Sequence, residues 1–373
     1  MQPDTKLQDT IQNLLDSLVA EGKERGAQVA IYIDGKLVVD AWAGVADVRT
    51  GTPVDAGTLF PVFSTTKGIE ATVLNILAER GQVDYDKPIA HYWPEFAANG
   101  KEAITVRHGL SHKSGIPYMP VGIGHAELCD WNTMCRLVAQ LKPAWPAGQK
   151  TVYHPVTFGW IVGEVARRVD GRDFQSFVEA EICGPLGIRT MFAGIPAELE
   201  SRVAFLEQYY EPVAPPATPP PPQPPANPAE QGVPDFMNPL HEWMNRSDAR
   251  RACIPASNGI MNAWAIARHY AALLPGGVDG IELLPPSRMK LATELQIPGE
   301  GFVEGVTPRK GLGYGLGVGG NPDDFGHGGF GGSTGYGNPT YRLAVGVVRN
   351  RFTSNDLAGA VAKEVREVLG ITS

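Results

Sequence analysis

The sequence predicts an α/β plus α protein, an antiparallel sheet flanked by helices with a mainly helical domain inserted in it. Three observations carry this. Residues 27–47, AQVAIYIDGKLVVDAWAGVAD, read as two strands joined at Asp34-Gly35, a strong hairpin signal. Residues 340–350, TYRLAVGVVRN, are apolar and β-branched, as suits a central strand. Both ends of the chain supply strands and a covering helix, whereas the middle is largely helical. The expected division is therefore a discontinuous sheet domain, 1–60 with 290–373, and a helical domain over 61–289.

The elements follow in order. Leu7, Ile11, Leu14, Leu15, Leu18 and Val19 fall on one stripe of a helix expected over 6–25. Pro61-Val62-Phe63 leads into Ser64, and a helical pattern runs from Thr65 to Arg80 and stops at Gly81. Residues 84–117 form shorter elements broken by Pro88, Pro94, Gly109, Gly115 and Pro117, and 155–182 read as helices closed by Gly184-Pro185. The segment 211–228, EPVAPPATPPPPQPPANP, lacks an N–H at every proline and cannot join a helix interior or a sheet. It reads as an exposed polyproline-like loop, a spacer in preference to a docking site for a proline-reading partner. Patterned sequence resumes at Pro255–Gly259. The glycine-rich runs 311–320 and 325–339 look strand-like, and a helix near 355–369 closes the chain.

Composition narrows the function. With 43% apolar and 19% charged residues the chain has material for a real core. A net charge of −8 argues against nucleic-acid binding and against electrostatic docking on anionic membranes. Cys129, Cys135, Cys183 and Cys253 include no C-x-x-C pair and read as thiols, not a disulfide framework or zinc site. The N-terminus has no signal-peptide pattern, and no run of about 18 apolar residues spans a membrane. A cytoplasmic location is expected. The sequence carries no signal for an oligomeric state.

The chemistry centres on Ser64-Thr65-Thr66-Lys67. Positions i and i+3 share a helix face, so a serine on the first turn sets its hydroxyl beside the Lys67 amine. A serine nucleophile needs a base, and a lysine serves when burial lowers its pKa. The helix N-terminus also offers N–H groups to a developing oxyanion. Alone, Ser-x-x-Lys equally fits a capping serine followed by a solvated lysine.

Further segments occur in order: Ile104–Pro117 (ITVRHGLSHKSGIP), Trp145-Pro146-Ala147-Gly148, Tyr153-His154-Pro155, Gly184-Pro185-Leu186-Gly187-Ile188 and His327-Gly328-Gly329-Phe330. Together with Ser64–Lys67 they resemble the serine β-lactamase and penicillin-binding-protein superfamily, in the class C β-lactamase-like branch that includes the family VIII carboxylesterases. The resemblance covers about residues 10–368, with the proline-rich loop as an insertion. It implies the β-lactamase/transpeptidase-like fold and an acyl-enzyme on Ser64. Tyr153 would be a second basic group, coupled to Lys67. Its phenol has an ordinary pKa near 10, made accessible by the neighbouring ammonium. Either Lys67 or the Lys67–Tyr153 pair takes the serine proton. The N–H groups of Ser64 and Phe330 would form the oxyanion hole. Gly328 and Gly329 would let substrate approach, and His327 would tune local charge or bond the tyrosine. No cofactor or metal is implied.

Two departures bear on the substrate. Pro155 replaces the asparagine of Tyr-x-Asn, and His327 replaces the lysine of Lys-Thr-Gly. An amide for a lactam substituent and a fixed charge for a lactam carboxylate are both lost. The expected substrate is a small neutral molecule, a short-chain carboxylic ester. The alternatives are β-lactamase or D-Ala-D-Ala peptidase activity, acyl transfer to an alcohol, or a non-catalytic binding protein. Phe330, Trp145, Trp131 and Tyr118 either line an apolar pocket or belong to the core.

Three further matches mislead. Gly331-Gly332-Ser333-Thr334-Gly335 fits G-x-S-x-G, but a strand follows it and His327 is the last histidine of the chain. Gly315, Gly317 and Gly320 have dinucleotide-fingerprint spacing, but Asn321-Pro322 prevents a helix from opening there. His108 and His112 are spaced like a zinc pair, yet Gly109 disfavours the helix and no glutamate lies between them, so both read as structural.

Overall fold

A computed structural model describes residues 3–209, 231–296 and 309–371. The strands are β1 (Gly26–Ile33), β2 (Lys36–Asp47), β3 (Thr52–Pro53), β4 (Phe60–Phe63), β5 (Met191–Ala193), β6 (Glu207–Gln208), β7 (Gly259–Met261), β8 (Gly315–Leu316), β9 (Phe325–Gly328), β10 (Thr334–Asn338), β11 (Leu343–Arg349) and β12 (Arg351–Phe352). Seven form an antiparallel sheet in the order β3-β2-β1-β11-β10-β9-β8. The first and last parts of the chain meet at β1 and β11, where Ile31 lies opposite Val345. The strand expected at 340–350 is thus central. The β1–β2 turn is the expected one: Asp34 (φ 50°) and Gly35 (φ 72°) are both left-handed, as a two-residue hairpin of this twist requires.

Alternation along the strands assigns the two faces. Val29, Ile31, Val345 and Val347 pack against Leu7, Ile11 and Leu15 of α1 (Pro3–Ala20) and against Leu357, Val361 and Val365 of the closing helix Leu357–Leu369. The opposite face presents Ala30, Ala344 and Val348 to the helix Ala263–Ala271. A Cβ on Gly346 would stand 2.3 Å from the Ala263 carbonyl oxygen, so glycine is what lets that helix come close. This helix packs on the sheet although its residues fall within 61–289 in the chain.

The helix expected over 6–25 stops at Ala20. The N–H groups of Lys23 and Glu24 turn back to the Leu18 carbonyl, and Gly22 takes the left-handed φ of 71° that ends the helix. Helix α2 (Thr66–Glu79) matches the expected span, with Gly81 left-handed after it. Its residues from Thr66 to Ala78 are all buried, which makes it the central post of the helical region. The helix Thr157–Asp170 packs against it. A small sheet, β4-β7-β5, brings β4 to the start of α2.

The four cysteines are free thiols; Cys135 and Cys183 are buried and Cys129 and Cys253 half-buried. The proline-rich loop at 211–228 lies outside the described residues. No helix among the described residues is long and apolar enough to cross a membrane.

Candidate active site

Ser64 sits half-buried where β4 turns into α2. The turn is bolted on both sides by the two threonines of the motif. Thr65 Oγ1 donates to the Ser333 carbonyl at 3.2 Å. Thr66 Oγ1 donates to the Phe63 carbonyl at 2.5 Å and accepts from the Gly259 N–H at 2.9 Å. Phe63, next to the serine, is held at φ 48°, a left-handed conformation that costs a non-glycine residue about 1–2 kcal/mol. Such strain persists only where the surroundings over-determine it.

Lys67 is fully buried, and its Nζ has three neighbours. It donates to the carbonyls of Pro155 (2.6 Å) and Ala256 (2.8 Å) and lies 3.1 Å from Ser64 Oγ. Burial drives its ammonium down to about 7, with Glu70 acting in the opposite direction. A neutral amine has two N–H bonds and one lone pair. Both N–H bonds are claimed by the carbonyls, so the lone pair faces the serine hydroxyl.

Tyr153 completes this group. Burial pushes its phenol up to about 12, and a hydrogen bond with Ser64 pulls the other way. Lys67 Nζ lies 5.0 Å from the Tyr153 ring centre. The segment 111–116 holds the tyrosine through its neighbour His154, whose Nε2 meets Ser114 Oγ at 2.7 Å and the Ile116 N–H at 3.3 Å. His112 Nδ1 accepts from the His154 N–H at 3.1 Å, and its ring stacks on Phe158 and lies 5.0 Å from that of Tyr153. His108 sits apart, accepting the Thr105 N–H on Nδ1 in a capping box. The two histidines therefore serve structure separately and form no ligand pair.

His327, on β9, stacks at 5.9 Å on Tyr153. Its Nδ1 lies 2.7 Å from the Gly328 carbonyl, which assigns the proton to Nδ1 and leaves Nε2 as an acceptor. That acceptor meets Lys310 Nζ at 3.4 Å, so His327 bonds a lysine and not the tyrosine. Burial and the nearby lysines Lys310 and Lys67 hold the imidazole well below its ordinary range, hence neutral. The amine absent from position 327 stands beside it on Lys310.

The loop after β9 corrects one expectation. A Cβ on Gly329 would lie 2.1 Å from the Val62 carbonyl oxygen and 2.9 Å from Thr65 Oγ1, so this glycine makes room for the Ser64 turn itself and not for substrate. Gly328 is exposed and its surroundings are open. Phe330, 54% exposed, packs edge-to-face on Phe63 at 5.8 Å, which brings the loop against the residue preceding Ser64. Of the other aromatic candidates, Trp131 turns away and donates to Glu164 at 2.7 Å. The Tyr118 hydroxyl bonds the Lys142 carbonyl, and Trp145 carries Lys150 over its ring. Ser333 is buried in the turn before β10, its carbonyl accepting from Gly329 and Thr65. Gly315 lies in β8 with a turn after it.

Sequence reasoning did not single out two buried residues. Glu70 lies one turn beyond Lys67, and burial pushes its carboxyl well above the usual range while Lys67 draws it down. Its signal was present: 64, 67 and 70 are spaced by three, from the turn before α2 into its first turns. Lys310 had none, since no motif includes it.

These features agree with what the chain resembles. A model of the Beta-lactamase family matches residues 11–370. The chain is 34% identical over 337 residues to the esterase/beta-lactamase LipL of Mycobacterium tuberculosis, covering 88% of this chain and 78% of that protein. The crystal structure of a family VIII carboxylesterase superposes with a TM-score of 0.85 at 32% identity, over 99% of this chain and 98% of that one. A penicillin-binding-protein homologue from Caulobacter crescentus gives 0.82 at 31% identity, over 99% and 97%. With its antiparallel sheet, its flanking helices and the Ser64–Lys67 turn between them, the chain belongs to the β-lactamase family of serine hydrolases.

Proposed function

We propose that the protein is a carboxylesterase that cleaves short-chain carboxylic esters through an acyl-enzyme on Ser64. The observation that carries the reading is Lys67 Nζ held by two carbonyls at 3.1 Å from Ser64 Oγ, where its neutral form turns a lone pair to the serine. In the first step the Ser64 proton passes to Lys67 Nζ as Oγ bonds the ester carbonyl carbon. The N–H groups of Ser64 and Phe330 receive the oxyanion. The C–O bond to the alcohol then breaks, the departing alkoxide takes the Tyr153 proton, and Lys67 returns its proton to Tyr153. Water repeats the sequence on the acyl-enzyme and restores Ser64. No proton is gained or lost over the cycle.

An ester is preferred over a lactam because Pro155 offers Lys67 a carbonyl but no side-chain amide to a substrate. The exposed Phe330 ring at the site adds an apolar surface suited to a neutral acyl or alcohol group. The likeness to a family VIII carboxylesterase and to LipL supports the same choice. The test is turnover of p-nitrophenyl acetate and butyrate beside nitrocefin. Ser64→Ala should abolish ester turnover, and a fluorophosphonate should add one label, on Ser64. Ester turnover that survives Ser64→Ala, or none in the wild type, refutes the reading.

A further inference from the structure

Lys310 is buried in the site, yet the steps above do not use it. It opens a tight hairpin. Its backbone bridges to Gly315, and the Leu316 N–H donates to the Arg309 carbonyl at 3.1 Å. This seats it beside β8, one strand from β9 and His327. The neutral imidazole accepts from Nζ at 3.4 Å, and Nζ lies 5.2 Å from the Tyr153 ring centre. The Lys67 amine is 5.0 Å from the same centre. Tyr153 is therefore approached by two amines from separate elements, one on α2 and one beside the sheet.

The other titratable groups around it are few. His327 on β9, His112 in the turn after the helix Val106–Leu110 and His154, next to Tyr153 in the chain, are all kept neutral, burial being the first cause for each. Glu70 is the carboxyl that acts on Tyr153 and Lys67. No group in this set except the two amines can supply positive charge when Tyr153 gives up its proton.

We propose that Lys310 is a positioning residue for the ester reaction: its ammonium, anchored on His327, stabilises the Tyr153 phenolate formed while the leaving alkoxide takes the tyrosine proton. Burial and the Lys67 charge hold the Lys310 ammonium at about 7. A phenolate forming alongside reverses that push, because an opposite charge favours the protonated amine. His327 thus acts as a neutral bracket, and the cation lost at its position comes from the turn beside β8.

The inference rests on the esterase reading, and leaving-group dependence separates the two. A p-nitrophenolate departs without a proton, whereas an alkoxide needs one. Lys310→Met should therefore lower kcat/KM for ethyl butyrate about tenfold or more, while p-nitrophenyl butyrate stays within about threefold. Lys310→Arg, which keeps the charge, should recover the ethyl ester. Fluorophosphonate labelling of Ser64 and the thermal midpoint certify that the variants are folded. Equal losses on both esters, no loss on either, or an arginine variant as poor as methionine would overturn the role of Lys310 and leave the esterase reading standing. A wild-type protein inert on both esters would overturn that reading, and this one with it.

Discussion

Acid should silence the enzyme by protonating Lys67. The amine is buried among two carbonyls and the serine, and its ammonium sits at about 7. The sign follows from the lone pair: the protonated amine has none for the Ser64 proton, and the neutral amine has one. Activity should rise as pH climbs through the Lys67 value. With that value at about 7, the neutral fraction is about 9% at pH 6 and about 91% at pH 8, roughly a tenfold span. Tyr153 forecasts a rise that ends much later. Its phenol stands at about 12, so a tyrosinate base would leave the rate climbing tenfold per pH unit well past pH 9. The assay is kcat/KM for p-nitrophenyl butyrate from pH 5 to 10, corrected for spontaneous hydrolysis. An inflection near 7 with a plateau above it identifies Lys67 as the base. A rate still rising steeply between pH 8 and 10 would refute that assignment and give the role to Tyr153.

Two further expectations concern the framework. A Cβ on Gly68 would lie 1.9 Å from the Tyr270 hydroxyl, so Gly68→Ala should cost about 1–3 kcal/mol in denaturant melts. Tyr270→Phe in the same chain should recover most of that; an undiminished cost in the phenylalanine background would disprove the clash. Glu164 has a fully buried side chain that accepts from Arg167, Arg168 and Trp131. Burial raises its carboxyl, but those hydrogen bonds outweigh it and keep it ionised. Glu164→Ala would leave the indole and the two part-exposed arginines without this acceptor, at a cost of about 1–3 kcal/mol; urea unfolding that moves by less than about 0.5 kcal/mol would contradict this.

Local patterns were legible where the physics is local. The hairpin at Asp34-Gly35 was readable because few dipeptides accept two left-handed residues in succession. Ser64 and Lys67 were readable because three positions along a helix return to one face. The end of α1 was misjudged by five residues because its signal, Gly22, sits inside a polar stretch that continues the helical composition. Trp131 could be weighed only as pocket or core, because a sequence does not show that Glu164, on another helix, takes its indole N–H. Gly329 looked like a concession to substrate, and the atoms facing it belong to Val62 and Thr65.

The sequence by itself determined the sheet built from both ends, the central helix after Ser64, and the serine–lysine pair, because periodicity and turn chemistry act over a few residues. Only the tertiary structure decided the state of that pair. Lys67 lies low because Pro155 and Ala256, from distant segments, surround its amine and exclude water. His327 is neutral because folding buries it and then sets Lys310, from the turn before β8, against it. Desolvation and charge pairing depend on what is within a few ångströms in space, and that distance is set by folding, not by position in the chain.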